Sequence, residues 1–165
     1  MKREKLAHFI DVKMDTTLAS PEYHLLGDGI ESLSEEFNAE EETNQWINQA
    51  NGTTTVKSYT PSIEVEMKDV DQEDTDLTEW VNKMIDELPT GKAAETSYVR
   101  VRLTGSDPTK YPAVQRRCAV SVSSTGGDAG DNIVNGFNIG GKGDGIPGTF
   151  DATTKVFTEG TPITP

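Results

Sequence analysis

With 165 residues, 33% of them hydrophobic, and a formal net charge of -13, the chain is long enough for one domain around one modest core. The acidic balance excludes ordinary nucleic-acid binding, which needs clustered Lys and Arg to replace counterions, and binding to an anionic membrane surface. No apolar run approaches the roughly 18 residues of a membrane span, and the single cysteine, Cys118, excludes an internal disulfide.

Leu, Ile, Val and Phe make up about a fifth of the chain, close to the border where burial fails to offset ordering entropy. A free subunit with long mobile loops is expected, completed by a partner surface. Leu6 to Val12 is too short and too polar for a signal core, so synthesis and folding in a cytoplasm are expected.

Leu6 to Lys13 alternates weakly and reads as a first strand. Met14 to Glu22 reads as a loop, and Tyr23 to Leu26 as a short strand ended by Gly27-Asp28-Gly29. Glu31 to Asn38 reads as a strand with Leu33 and Phe37 on one face and Ser32, Ser34, Glu36 and Asn38 on the other. Ala39 to Gln49 has helix-favouring Glu and Gln, but an extended acidic loop is the preferred reading, with Trp46 and Ile47 anchoring its far end. Thr53 to Tyr59 and Ser62 to Lys68 are β-branched and share a period of two, interrupted by Pro61. In the second of these Ile63, Val65 and Met67 point inward, and Glu64, Glu66 and Lys68 outward.

Thr75 to Leu88 predicts a helix. Asp74, Thr75 and Asp76 offer capping oxygens and favourable charge at its start. Leu77, Val81, Met84, Ile85 and Leu88 recur at helical spacing and define the core face, with Trp80 beside them; Pro89 and Gly91 stop it. Ser97 to Thr104 alternates as a strand, with Tyr98, Arg100, Arg102 and Thr104 on one side. Val114 to Ser124, Asn132 to Gly140 and Thr149 to Thr158 are further strands, separated by Gly-rich turns at Thr125 to Asp131 and Gly141 to Gly148. The fold class is mainly β with one flanking helix (α+β), in a single domain over residues 1–165. Flexible loops are expected at about 39–53 and 125–131, and a flexible tail at about 159–165.

The chemical motifs are weak. Gly143-Asp144-Gly145-Ile146-Pro147-Gly148 has dinucleotide-like glycine spacing, but a strand pattern follows it where a helix is required, so a hairpin turn is the better reading. Asp69 to Asp74 lacks the sixth-position glycine and twelfth-position glutamate of a calcium loop. His8 and His24 lie in different strands without ligand spacing, so neither metal nor cofactor is expected. Cys118 reads as a buried structural thiol, and acidic pairs such as Glu35-Glu36 as solvated faces; no general acid and base stand apart, so no enzyme is expected. Arg100, Arg102, Arg116 and Arg117 form the basic cluster, suited to an acidic patch on a neighbouring copy or simply to a solvated sheet face.

LLGDGIESLSEEFNAEEETNQWI followed by TTTVKSYTPSIEVEM resembles the N-terminal half of the major tail (tail tube) proteins of long-tailed bacteriophages, where a "GDG…SL…NPETE" segment precedes a "TTTVKGYEP" strand pair and a central helix. Gly143-Asp144-Gly145 through Gly148-Thr149-Phe150-Asp151 to Lys155-Val156-Phe157-Thr158 resembles the family's C-terminal signature. The match covers nearly the whole chain. Asn38-Ala39 stands for the usual Asn-Pro, and Ser58-Tyr59-Thr60 for Gly-Tyr-Glu.

The resemblance implies a tail-tube β-sandwich or barrel flanked by a helix, assembled as hexameric rings stacked into a hollow tube that conducts DNA from capsid to host. It implies tape-measure and tail terminator or tip proteins as partners, and a place in the virion after synthesis in the host cytoplasm. Glu36, Glu64 and Glu66 are then candidates for a lumen of one sign past which DNA moves without specific binding. Glu40, Glu41, Glu42, Trp46, Arg100, Arg102, Arg116 and Arg117 are candidates for contacts between copies. The tube protein of a contractile injection particle is a near variant. A β-sandwich binding or adhesion module, using Trp46 and Tyr59, is the alternative.

Overall fold

The computed structural model describes residues 1–70 and 75–160. Its ten strands are β1 (Leu6–Asp11), β2 (Tyr23–Leu25), β3 (Glu35–Glu36), β4 (Glu40–Asn44), β5 (Thr53–Ser58), β6 (Ser62–Lys68), β7 (Glu95–Arg102), β8 (Tyr111–Gly126), β9 (Val134–Asp151) and β10 (Val156–Glu159). One helix, α1 (Thr75–Glu87), lies between β6 and β7. Eight strands form one antiparallel sheet in the order β2-β1-β7-β8-β9-β6-β3, with β10 added to β9. β4 and β5 form a separate two-stranded hairpin.

Both faces of the sheet are apolar, because β1 and β7 bury successive residues. Ile10 and Tyr98 join one cluster with Ile63, Val65, Met67, Cys118 and Ile139. Phe9, Val99 and Val101 join the other with Tyr23, Ala113 and Phe150. The first cluster is capped by α1, whose Leu77, Trp80, Val81 and Met84 are buried, with Ile85 partly buried against it. Trp80 meets Phe137 edge-on at 5.9 Å between ring centroids. On the opposite face Phe150 packs against Phe9 at 4.5 Å, and β10 covers the flank with Phe157.

Leu88, predicted on the helix core face, is 62% exposed. It sits just past the last turn at φ 45°, the left-handed position that closes a helix, and this swings its side chain off the apolar stripe. Asp74, proposed as a cap, and most of the Asp69 to Asp74 run lie outside the described residues, as does the tail beyond residue 160. Glu159, where the flexible tail was expected to begin, pairs with Gly148 in β10.

The Gly141 to Gly148 run is not a turn. It lies inside β9, which pairs with β8 from Val134 to Phe150. The register shifts opposite Arg116, where Gly143 takes φ 74° and its carbonyl accepts a 2.7 Å hydrogen bond from Arg116 Nη1. This is a bulge that re-aims the strand, not a reversal. The chain reverses later, at residues 152–155. Gly148 serves close packing: a Cβ there would collide with the Thr158 carbonyl and the Phe157 ring.

Residues 31–38 form less strand than their alternation predicts. Only Glu35 and Glu36 pair, opposite Ile63 and Ser62 of β6. Leu33 is buried, whereas Phe37 is 43% exposed, its ring beneath the Arg100 guanidinium at 5.4 Å. β6 therefore has a strand partner on that side only at Ser62 and Ile63, and Lys68 N–H bonds the Gly29 carbonyl at the far end.

Candidate assembly surfaces

At Glu35 one end of the sheet path, β3, reaches strands β1 and β7 near the other end. The Glu35 side chain is 5% exposed, and its carboxylate accepts hydrogen bonds from the Tyr98 hydroxyl at 2.7 Å and Arg100 Nη1 at 2.8 Å. His8 Nε2 lies 3.5 Å away, within ion-pair range. β3 thus folds back over β1 and β7, which are not its backbone neighbours. Burial alone pushes the Glu35 carboxyl up, but contacts with His8, Tyr98 and Arg100 prevail and hold it at about 2. Burial, reinforced by the adjoining carboxylate, raises the Tyr98 phenol.

The reading of Glu35-Glu36 as a solvated pair is therefore corrected for its first member. The signal was present: with Leu33 facing inward, a period of two places Glu35 inward as well. Its partners, 63 and 65 residues away, were not visible in the local pattern.

Arg100 is engaged within the chain by Glu35, its side chain 19% exposed. Arg116 is held to Gly143. Arg117 is exposed and pairs in register with Ser97 and Lys142. Arg102 is exposed at the end of β7. Arg100 and Arg116 thus hold contacts within the chain, while Arg100 and Arg102 line one hollow with Pro112, Ala113 and Val114.

Glu36, Glu64 and Glu66 do come together. All three are exposed and line one groove of about 480 Å³ with Ser32, Ser34, Ser62 and Asn138. Alternation in β6 produces this, since burying Ile63, Val65 and Met67 turns the intervening glutamates outward. Among the described residues no basic side chain lines the groove.

The stretch predicted as an extended acidic loop is instead the β4–β5 arm, in which Glu41 pairs with Val56, Glu42 with Thr55, and Asn44 with Thr53. Threonine-rich β5 supplies the strand propensity that the acidic half lacks. Every residue of both strands is exposed. Glu42 meets Lys57 at 3.3 Å, and the Thr43 and Thr54 hydroxyls bond at 3.0 Å. Glu40 and Glu41 complete the acidic strand. At the tip Trp46 is 62% and Ile47 107% exposed. These residues do not anchor the stretch to the domain; they lead away from it.

No family model and no curated protein matches the chain. Solved structures do. The tail of an empty gene transfer agent (GTA) particle, refined helically with C6 symmetry, contains a chain with TM-score 0.57 and 12% identity, over 88% of this chain and 96% of that one. The virion of a native gene transfer agent particle contains one with TM-score 0.55 and 11% identity, over the same shares. At these identities the likeness is one of fold: a mostly antiparallel sheet with a single helix, shared with subunits of phage-like tail particles.

Proposed function

We propose that this chain is a structural protein of a phage-like tail, forming hexameric rings that stack into a hollow tube for DNA. The observation that carries the reading is the β4–β5 arm. A lone two-stranded hairpin is marginal in water, and this one presents Trp46 and Ile47 to solvent at its tip. A neighbouring copy that receives the tip supplies the missing burial and makes a heterologous contact, which closes into rings or runs on as filaments. The tail-particle fold and the sequence resemblance support the same reading.

In the tube, the Glu36–Glu64–Glu66 groove faces the lumen and repels DNA phosphates, so that DNA passes without binding. Glu40, Glu41, Glu42 and Trp46 on the arm, with Arg100, Arg102, Arg116 and Arg117 on the body, make the contacts between copies. The subunit is made in the host cytoplasm, meets tape-measure and terminator or tip proteins at the tube ends, and resides in the virion. It performs no chemistry of its own. The adhesion-module alternative draws on the exposed Trp46 and Tyr59.

Negative-stain microscopy of concentrated protein separates these readings. Rings or tubes with a central channel are expected. Uniform single subunits at all accessible concentrations and salt levels would overturn the tube.

A further inference from the structure

The packing of α1 against the sheet brings together three metal-ligating side chains that lie far apart in sequence. Glu22 and His24 are two residues apart at the start of β2, so they share a face. His24 pairs in register with Ile10, which belongs to the core cluster beneath α1. Asp76 lies in the first turn of α1, and the next residue, Leu77, is seated in that same cluster. One ligand atom from each of Glu22, His24 and Asp76 lies within 4.8 Å of the others. His24 is 8% exposed and its Nε2 is 3.0 Å from Glu22 Oε1, while Glu22 and Asp76 are open to solvent.

We propose that Glu22, His24 and Asp76 form a site for one divalent transition-metal ion of the zinc class, tying edge strand β2 to the first turn of α1. One imidazole nitrogen and two carboxylate oxygens make a mixed donor set that suits such ions better than magnesium or calcium, which take oxygen alone. Ligands at about 2.1 Å from a metal stand about 3.4 Å apart at the tetrahedral angle, so closing the site from separations of up to 4.8 Å needs about 1.4 Å of movement at most. The two exposed carboxylates have the rotamer freedom to make it, and the buried imidazole provides the rigid member. A helix N-terminus repels a cation, but its effective charge of about +0.5 is outweighed by two carboxylates. The exposed side of the site leaves room for one or more waters. Sequence spacing hid it, because Asp76 comes from a helix and not from the strand that carries the other two.

The test uses the full chain stripped with EDTA. Calorimetric titration with zinc chloride should give one saturable site per chain, and saturating zinc should raise the midpoint of thermal unfolding by several degrees. Cobalt(II) should give a visible ligand-field spectrum that zinc abolishes. Glu22→Gln and Asp76→Asn, both at exposed positions and expected to fold, should each weaken zinc affinity at least tenfold, and His24→Ala should abolish it; Glu64→Gln, in the acidic groove, should leave it unchanged. Absence of saturable binding would overturn the site. So would binding that survives undiminished in Glu22→Gln and Asp76→Asn, which would mark an ion held elsewhere.

Discussion

The Glu35 carboxylate and the Arg100 guanidinium stand 2.8 Å apart, and this pair joins β3 to β7, two strands that share no backbone pairing. The sheet is curled back on itself by a side chain rather than by a ladder. Removing one partner leaves the other charge buried, and Arg100 would also lose the geometry that places it over Phe37.

The pH dependence follows from the Glu35 carboxyl, which lies at about 2 in the folded chain against an ordinary 4.5. A depressed folded value means that its stabilisation is complete above about pH 4.5 and is lost as the pH falls toward about 2. The displacement corresponds to about 3 kcal/mol. Glu35→Gln should lose about that much at pH 7 and much less near pH 2. Urea unfolding at the two pH values checks this; an equal loss at both would show that the charge is not what matters.

Leu77, in the first turn of α1, and Leu88, just past its end, make a matched pair. Leu77→Ala should cost about 2–5 kcal/mol, because Leu77 is 1% exposed in the core beneath α1. Leu88→Ala should change stability by less than about 0.5 kcal/mol. Leu88→Gly should stabilise by about 1 kcal/mol, since glycine adopts the left-handed backbone without a Cβ penalty. Thermal unfolding of the three variants decides among these.

The arm separates folding from assembly. Trp46→Ala with Ile47→Ala should leave the stability of the free subunit within about 0.5 kcal/mol of the parent, because neither residue is buried in it. The same double variant should fail to form tubes under the microscope. Normal tubes would remove the arm tip from the contact.

Reversing the acidic groove probes the lumen. Glu36→Lys, Glu64→Lys and Glu66→Lys together should fold normally, as all three side chains are exposed. Assembled particles carrying them should release DNA more slowly, and more so at low salt. Unaltered ejection rates would place the groove away from DNA.

Elements whose partners are close in sequence, or whose periodicity is strong, were legible. The α1 stripe and the alternation of Ile63, Val65 and Met67 belong to this group. The Gly-rich part of β9 was not, because glycine that permits close packing looks the same in sequence as glycine that permits a turn. The distinction rests on Thr158 and Phe157, which reach Gly148 from the strand that follows. Glu35 escaped for a related reason: charge suggested solvent, and its countercharge came from β7. The bond from Arg116 to Gly143 was hidden as well, because it depends on the bulge that brings the Gly143 carbonyl to that side chain.

Among the described residues β6 has a strand partner on its outer side only at Ser62 and Ile63, so Glu64 to Met67 form a sheet edge without a strand partner. Any strand that reaches such an edge can add to it, which ordinarily invites aggregation. Here two of the four residues are glutamates, on a chain of net charge -13. Repulsion between copies acts over about 10 Å at 0.1 M salt and over about 30 Å at 0.01 M. Ionic strength, as much as protein concentration, therefore governs when subunits come near enough to join, and storage at low salt should keep them apart.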